Sequence, residues 1–358
     1  MIPVNKAFLP EYKEYEKYLK KIWASGWITN HGPLVNKLEH KLKKYLGVKH
    51  LIFTNNGTTA LQIAIKALHL KGEIITTPFS YVATTNSILW EGCTPVFADI
   101  NETDFNINPK KIIPLITKNT SAILATHVYG NPCDVEAIKN IAAAYNLKIV
   151  YDGAHAFGTL LQKKQVLSFG NVAICSFHAT KNFHTIEGGA IITDDDETGE
   201  KMTLYRQFGH INDDYFSMGI NGKSSEVHAA MGLCILPHIN KIIKKRKEIC
   251  EKYDECLAGI NLQMPVPISD VKYNYAYYPV VFKNEQTLLK AKDNLASNNI
   301  FTRRYFYPSL NKLPFISAEN CPVSESISSR VLALPLYYEL KMKQVKRIAD
   351  ILKKSITH

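Results

Sequence analysis

The chain has no apolar run long enough to span a bilayer, no Cys-x-x-Cys pair, no internal repeat and no low-complexity linker. The first absence argues against a helical membrane protein. The N-terminal stretch MIPVNKAFLPEYKEYEKYLKKIW is charged and amphipathic rather than a positive tip followed by an apolar segment, so no export signal is expected. Seven cysteines, odd in number and scattered, argue against a disulfide framework or a thiolate zinc site and fit a reducing cytoplasm. His178 and His184 have no acidic or thiolate cluster beside them, so no metal site is expected. Three catalytic fingerprints are also missing. No Gly-x-Gly-x-x-Gly follows a strand-like run, which leaves a dinucleotide-dependent dehydrogenase unsupported. No Gly-x-Ser-x-Gly elbow occurs, which does the same for a serine hydrolase. GINGKSS approximates a phosphate-binding P-loop, but Ser217 stands where its first glycine belongs.

What is present is a globular composition: 358 residues, 46% hydrophobic, with a formal net charge of +11. The excess of lysine favours anionic ligands weakly, and with no zinc-finger, homeodomain or RNP-like pattern beside it, a nucleic-acid partner is not expected. The basic stretch at 240–247 reads as the solvated face of a helix. Along the first half, short apolar runs alternate with helical periodicity: LIFT with GTTALQIAIKALHL, EIITT with SYVATTNSILWEG, PVFADI with PKKIIPLI, SAILATHV with CDVEAIKNIAAAYN, then KIVYD. Such alternation predicts an α/β fold with a mainly parallel sheet, whose ligands sit at the carboxyl ends of the strands. From about Ser224 the pattern changes to a long helical stretch broken at Pro237, then to a strand-like NYAYYPVVF and two more helices. We expect a large domain over 1–235 and a smaller α+β domain over 236–358.

Four features fall at the same sheet edge. Asp152 follows the apolar run KIVY directly. Lys181 lies between two further strand-like runs, NVAICSF and GGAIIT. NNGTTAL places Gly57 and Thr58 at a helix start after a strand, where free N–H groups and the helix dipole favour a phosphate. TPFSYVATT supplies Tyr81 from the next strand-to-helix turn. Taken singly, each has a plainer reading: a solvated lysine, a turn aspartate, an N-cap, a packed tyrosine. Taken together they describe one ligand, pyridoxal 5′-phosphate. The lysine amine condenses with its aldehyde, the carboxylate keeps its ring nitrogen protonated, the aromatic face holds the ring plane, and the helix start takes the phosphate.

The segments SGWITNHGP, NNGTTAL, TPFSYVATTNSILWEGCTPVFADI, VYDGAHAFGT, SFHATKNFHTIEGGA, GINGKSSEVHAAMGL, RRYFYPSL and SSRVLALPLYYEL resemble, in this order, the pyridoxal-phosphate-dependent nucleotide-sugar aminotransferases of the DegT type. The resemblance runs nearly the whole chain and implies an aspartate-aminotransferase-like fold (fold type I). It matches Lys181 to the cofactor-bearing lysine, Asp152 to the partner of the pyridine nitrogen, His155 to the group beside the phenolic oxygen and Tyr81 to the stacked ring. Gly57, Thr58 and Ser176 match phosphate-side positions. Asn221 matches an asparagine that reaches the phosphate of a neighbouring subunit, which implies a homodimer with shared sites. Thr29, Asn30, His184, Arg304 and Tyr307 fall in segments that line the family's substrate cleft. The chain departs from the family pattern at Lys223, where arginine is common, and at Asn56, where serine is common. The implied reaction moves an amino group from L-glutamate to a nucleotide-linked 4-keto-6-deoxy sugar, giving dTDP-4-amino-4,6-dideoxyglucose for surface polysaccharide. A C3-specific enzyme, a GDP-sugar enzyme and a non-catalytic protein that keeps the cofactor pocket are the alternatives.

Overall fold

The computed structural model describes residues 1–357. Seven strands form the central sheet: β1 (His50–Thr54), β2 (Glu73–Thr76), β3 (Thr94–Phe97), β4 (Thr120–Thr126), β5 (Lys148–Asp152), β6 (Val172–Ser176) and β7 (Gly189–Thr193). Their spatial order is β1-β7-β6-β5-β4-β2-β3. Neighbours run parallel except at β7, which is antiparallel to both β1 and β6. The exception follows from the connection. A parallel pair needs a crossover, whereas β6 and β7 are joined only by residues 177–188, so the chain has to turn back. Lys181 sits in that return.

The strand interiors are apolar because both sheet faces are covered, and the polar residues sit at the strand ends. Alternate residues go to opposite cores, as the two-residue period of a strand requires. Leu51, Phe53, Ile123, Ala125, Ile149, Tyr151, Ala173 and Cys175 enter one core. Ile52, Ala122, Leu124, Val150, Val172 and Ile174 enter the other. The stretch PKKIIPLI, expected to be helical, makes one α turn (Pro109–Ile112) and a 3-10 turn (Ile113–Leu115), because Pro114 has no N–H to continue the ladder.

A second, smaller unit packs helices Glu285–Ser297 and Met342–Thr357 on the pair Pro279–Val281 and Val331–Ala333. The division at 235/236 does not coincide with a break in packing. Pro237 lies in a 3-10 turn, Leu236–His238, between helices Glu226–Ile235 and Ile239–Leu257. The latter helix gives Ile239, Ile242 and Ile243 to the sheet core, and Ile249, Tyr253 and Leu257 to the smaller one. Ile2, from the other end of the chain, also packs in the smaller core and bridges to Ile300. Within the basic stretch 240–247 the solvated-face reading fails at one position. Arg246 is buried, donating from Nε to the Tyr275 carbonyl at 2.7 Å and from Nη2 to the Ala276 carbonyl at 2.6 Å.

The helix Pro33–Leu46 has no side-chain cap of its own. Instead the buried carboxylate of Glu226 accepts from Leu34 N at 2.7 Å and Val35 N at 2.8 Å, an anion at the positive end of a helix dipole. This pins the SGWITNHGP loop, in which Asn30 and His31 adopt left-handed backbone angles.

Candidate active site

The carboxyl ends of β4, β5 and β6 open into a cavity of about 250 Å³, lined among others by Gly57, Thr58, Tyr81, Asp152, His155, Ser176 and Lys181. Seven residues expected at the cofactor are thus brought together. Asp152, the last residue of β5, is buried, and its Oδ2 accepts from Thr84 Oγ1 at 2.7 Å while Oδ1 accepts from Ala154 N at 3.0 Å. Behind Thr84 a buried hydroxyl chain continues to Ser80 (2.8 Å) and Thr126 (3.0 Å). Burial pushes the Asp152 carboxyl up, and the Thr84 and Ala154 hydrogen bonds and the Lys181 charge pull it back.

Lys181 is carried by a loop that an aromatic knot holds rigid: Phe157 stacks on Phe183 at 4.6 Å and Phe177 meets Phe183 edge-on at 4.8 Å. The same loop closes on itself through Phe177 N to the Gly188 carbonyl at 2.8 Å. Gly188 has no substitute here, since a Cβ would lie 2.0 Å from Thr185 Oγ1. The N-terminal segment straps the loop from outside. Phe8 offers its carbonyl to His184 Nε2 at 2.7 Å, and Asn5 donates to the Thr180 carbonyl.

The floor of the cavity is the start of helix Gly57–Ala67. Asn56, which stands where serine is common, caps it by accepting from Thr59 N at 2.8 Å. Gly57 lies against Ser176, whose Cβ would be 3.1 Å from a Cβ at position 57, so backbone N–H groups and a hydroxyl face one spot. On the side wall, His155 is buried with Nε2 at 3.2 Å from the Tyr305 hydroxyl and Nδ1 without a protein partner. Burial, then the Lys181 and Arg303 charges, hold its pKa well below the ordinary value, so the ring is neutral. Tyr81, at the start of helix Val82–Trp90, leaves 49% of its surface exposed at the mouth.

A pyridoxal phosphate fits these residues: an orphaned buried nitrogen on His155, a carboxylate with a lone pair to spare, a helix start beside a serine hydroxyl, and a lysine over them.

The residues expected at the substrate are dispersed. Thr29 and Asn30 lie in the exposed loop before helix Pro33–Leu46 and do not line the cavity. His184 is buried under the Lys181 loop, where it holds Phe8 and acts as a brace rather than a cleft contact. Arg304 turns away from the cavity: its Nη2 pairs with Glu285 Oε1 at 2.6 Å and donates to the Ser329 carbonyl at 2.9 Å, with Tyr307 packed against the guanidinium. Asn221 is exposed and outside this chain's own cavity, and its carbonyl accepts from Asn55 Nδ2 at 3.2 Å. Lys223 Nζ sits 4.5 Å above the Phe208 ring.

Sequence reading missed Thr84, Arg303, Tyr305 and Glu187. For Arg303 the deciding feature is a long-range register that the local sequence does not record. Arg303 pairs with Ala333 in both directions, N–H to carbonyl, so its neighbour Arg304 must point to the other side of the extended chain. Thr84 carries no local signal, because its tie to Asp152 exists only in the fold.

Comparison with known proteins places the whole chain. The DegT/DnrJ/EryC1/StrS aminotransferase family matches residues 11–353. A dTDP-4-amino-4,6-dideoxy-D-glucose transaminase of Escherichia coli is 41% identical over 98% of both chains. A GDP-perosamine synthase of Vibrio cholerae is 30% identical over 99% of this chain and 98% of its own. The crystal structure of DesI with its TDP-sugar product superposes with a TM-score of 0.95 at 30% identity, covering 100% of this chain and 93% of that one. With its fold, its cavity and its full-length matches in agreement, the chain belongs to the DegT/DnrJ/EryC1/StrS aminotransferase family.

Proposed function

We propose that this protein is a pyridoxal-phosphate-dependent transaminase that moves an amino group from L-glutamate to C4 of a dTDP-linked 4-keto-6-deoxy sugar, giving dTDP-4-amino-4,6-dideoxyglucose for surface polysaccharide. The observation that carries the reading is the convergence of Lys181, Asp152, Tyr81, His155 and the Gly57 helix start on one cavity. The 41% identity to the Escherichia coli enzyme supports the sugar.

When bound, pyridoxal phosphate supplies an aldehyde and a ring that accepts electrons from a bond broken beside it. The protein's residues do the rest. Gly57 and Thr58 N–H groups and the Ser176 hydroxyl hold the phosphate at the helix start. Asp152, fixed by Thr84 and Ala154, would hold the group's ring nitrogen and keep a proton there. Tyr81, at the mouth of the cavity, would pack on the group and exclude water. Neutral His155 would offer its unpartnered Nδ1 to the group's phenolic oxygen. The Lys181 amine would serve as the acid and base that takes up and gives back a proton at Nζ.

The active species is a homodimer. Asn221 stands exposed at the base of an arm whose Tyr215, Phe216 and Met218 are also exposed, a cluster that a second copy would cover while Asn221 reaches the partner's phosphate. The seven free thiols, six of them buried, support a cytoplasmic setting.

The test is spectroscopic and chemical. The purified holoenzyme is yellow, L-glutamate bleaches it, and borohydride followed by peptide mapping tags Lys181. Offered 4-keto-6-deoxyglucose on dTDP and on GDP, it aminates the dTDP sugar at C4. Colour that glutamate leaves unchanged refutes transamination, and amination of a dTDP-linked 3-keto-6-deoxy sugar in place of the 4-keto sugar, or of the GDP sugar alone, refutes the substrate.

A further inference from the structure

The cavity contains a second cation beside Lys181. Arg303 lines it from the smaller unit, together with Tyr305 and Phe306. The two adjacent arginines are used differently. Arg304 is consumed by Glu285 and the Ser329 carbonyl. The Arg303 guanidinium has no carboxylate or carbonyl partner among the described residues. It lies 4.5 Å above the Tyr305 ring and 6.0 Å from the Tyr81 ring, which leaves its planar fork of donors unfilled. Its backbone is pinned by the paired hydrogen bonds with Ala333, which fixes the side of the chain from which the side chain leaves.

Lys181 Nζ sits 6.0 Å from the Tyr277 ring, and that ring is 5.2 Å from Tyr305. The amine and the fork therefore face one aromatic pair, and both charges bear on the same buried His155. Arg303 and Lys181 line the same cavity, so an anion held by Arg303 shares it with the amine. The cofactor's phosphate is already provided for at the Gly57 helix start, on the floor. The nucleoside diphosphate of a sugar substrate is too large for the remainder of a cavity of about 250 Å³ and has to lie outside it. A donor carboxylate is small, planar and within a few bonds of the amine, and a guanidinium fork matches it with two parallel hydrogen bonds.

We infer that Arg303 is the specificity residue for the amino donor, binding a carboxylate of L-glutamate in the first half-reaction. This rests on the transaminase reading above. In the second half-reaction the keto sugar presents hydroxyls there, which need a donor and no charge. The two halves therefore depend on Arg303 unequally.

The half-reactions separate cleanly by stopped-flow absorbance on the holoenzyme. Arg303→Gln is expected to raise the glutamate concentration needed for half-maximal bleaching about 30-fold or more, the loss of a bidentate charge-assisted contact. Amination of the dTDP-keto sugar by the pyridoxamine-loaded enzyme changes by less than about threefold, because Gln still donates a hydrogen bond. Arg303→Lys recovers part of the glutamate affinity through charge alone. A readout independent of turnover is the calorimetric binding of glutarate, a dicarboxylate with no amine, which the wild-type holoenzyme binds and Arg303→Gln binds at least about tenfold more weakly. Bleaching by glutamate and glutarate binding that are both unchanged in Arg303→Gln overturn the assignment. Equal losses in the two half-reactions also overturn it, placing Arg303 on the sugar nucleotide or in the scaffold. A wild-type holoenzyme that glutamate never bleaches is a separate outcome, which removes the transaminase reading itself.

Discussion

The two walls of the cavity are built by different means. One wall is made of strand ends and a helix start: Asp152 closes β5, Ser176 closes β6, and Gly57 follows β1. Its carboxylate is tied down by Thr84 and Ala154, and the chain Thr126, Ser80, Thr84, Asp152 is buried. The other wall is an extended segment of the smaller unit, Arg303 with Tyr305 and Phe306, joined to the sheet side through His155 and through a hydrogen bond from Tyr129 to the Tyr305 carbonyl. Its arginine has free donors. The difference teaches a division of labour. The fixed wall suits one cofactor that stays, and the freer wall suits two substrates that alternate in one place.

The largest effects are expected on the fixed wall. Lys181→Ala should lower turnover by at least about 10³-fold while phosphate and ring contacts still retain cofactor, since proton transfer by a positioned group accounts for that much. Single-turnover absorbance with glutamate checks this, and normal bleaching would show that the amine is not the carrier. Asp152→Asn should cost about 10² to 10³-fold in the rate of each half-reaction, with cofactor content nearly kept, because a charge is removed and packing is not. A variant in which only one half-reaction slowed would break the view that this wall serves both substrates alike.

Much of the fixed wall is legible in the sequence. Strand-to-helix junctions announce themselves as an apolar run followed by Gly, Thr or Asp, and such junctions in a parallel sheet all face one edge. Lys181 was legible for a related reason, since two strands without a crossover between them must be joined at that edge. The other wall was opaque. Which of Arg303 and Arg304 faces the cavity is decided by pairing with Ala333, thirty positions along the chain, and local sequence does not record a long-range register. His184 misled because its place beside Lys181 resembles a cleft position, whereas its nitrogen is occupied by the Phe8 carbonyl.

Acid offers a test of how the fixed wall is supported. His127 is fully buried under it, stacked on Tyr151 at 4.6 Å, with ring Nδ1 accepting from Cys133 N at 3.0 Å and its backbone N–H donating to the Asp152 carbonyl at 3.0 Å. Burial lowers its pKa to about 3. The unfolded chain takes up this proton below about pH 6.5 and the folded protein does not, so stability present above that pH is lost as the pH falls toward about 3. The expected slope from this group is up to about 1.4 kcal/mol per pH unit. In urea unfolding of the two proteins, His127→Asn, whose amide oxygen still accepts from Cys133, should fall less steeply with acid than the wild type by that margin. Parallel curves would mean that other groups govern acid sensitivity. A smaller effect is expected from Thr84→Val, about tenfold in both half-reactions, since one hydrogen bond to a charged group is removed and Ala154 still holds Asp152.

The smallest predicted effect sharpens the comparison most. Arg304 and Arg303 are adjacent and identical in chemistry, and differ only in what meets them. If position in the fold decides function, Arg304→Gln should leave half-saturation by glutamate and the rate with the keto sugar within about twofold, while stability falls by about 1 kcal/mol for a partly exposed ion pair and its carbonyl contact. Thermal unfolding reads the second quantity, and the half-reactions read the first. Glu285→Gln, which removes the same pair from the other side, should reproduce the loss in stability and leave kinetics alone. Should Arg304→Gln instead weaken glutamate as strongly as Arg303→Gln does, the guanidiniums exchange places in solution, and the freer wall owes its specificity to a mobile pair of arginines and not to the register that sets one of them toward the cavity.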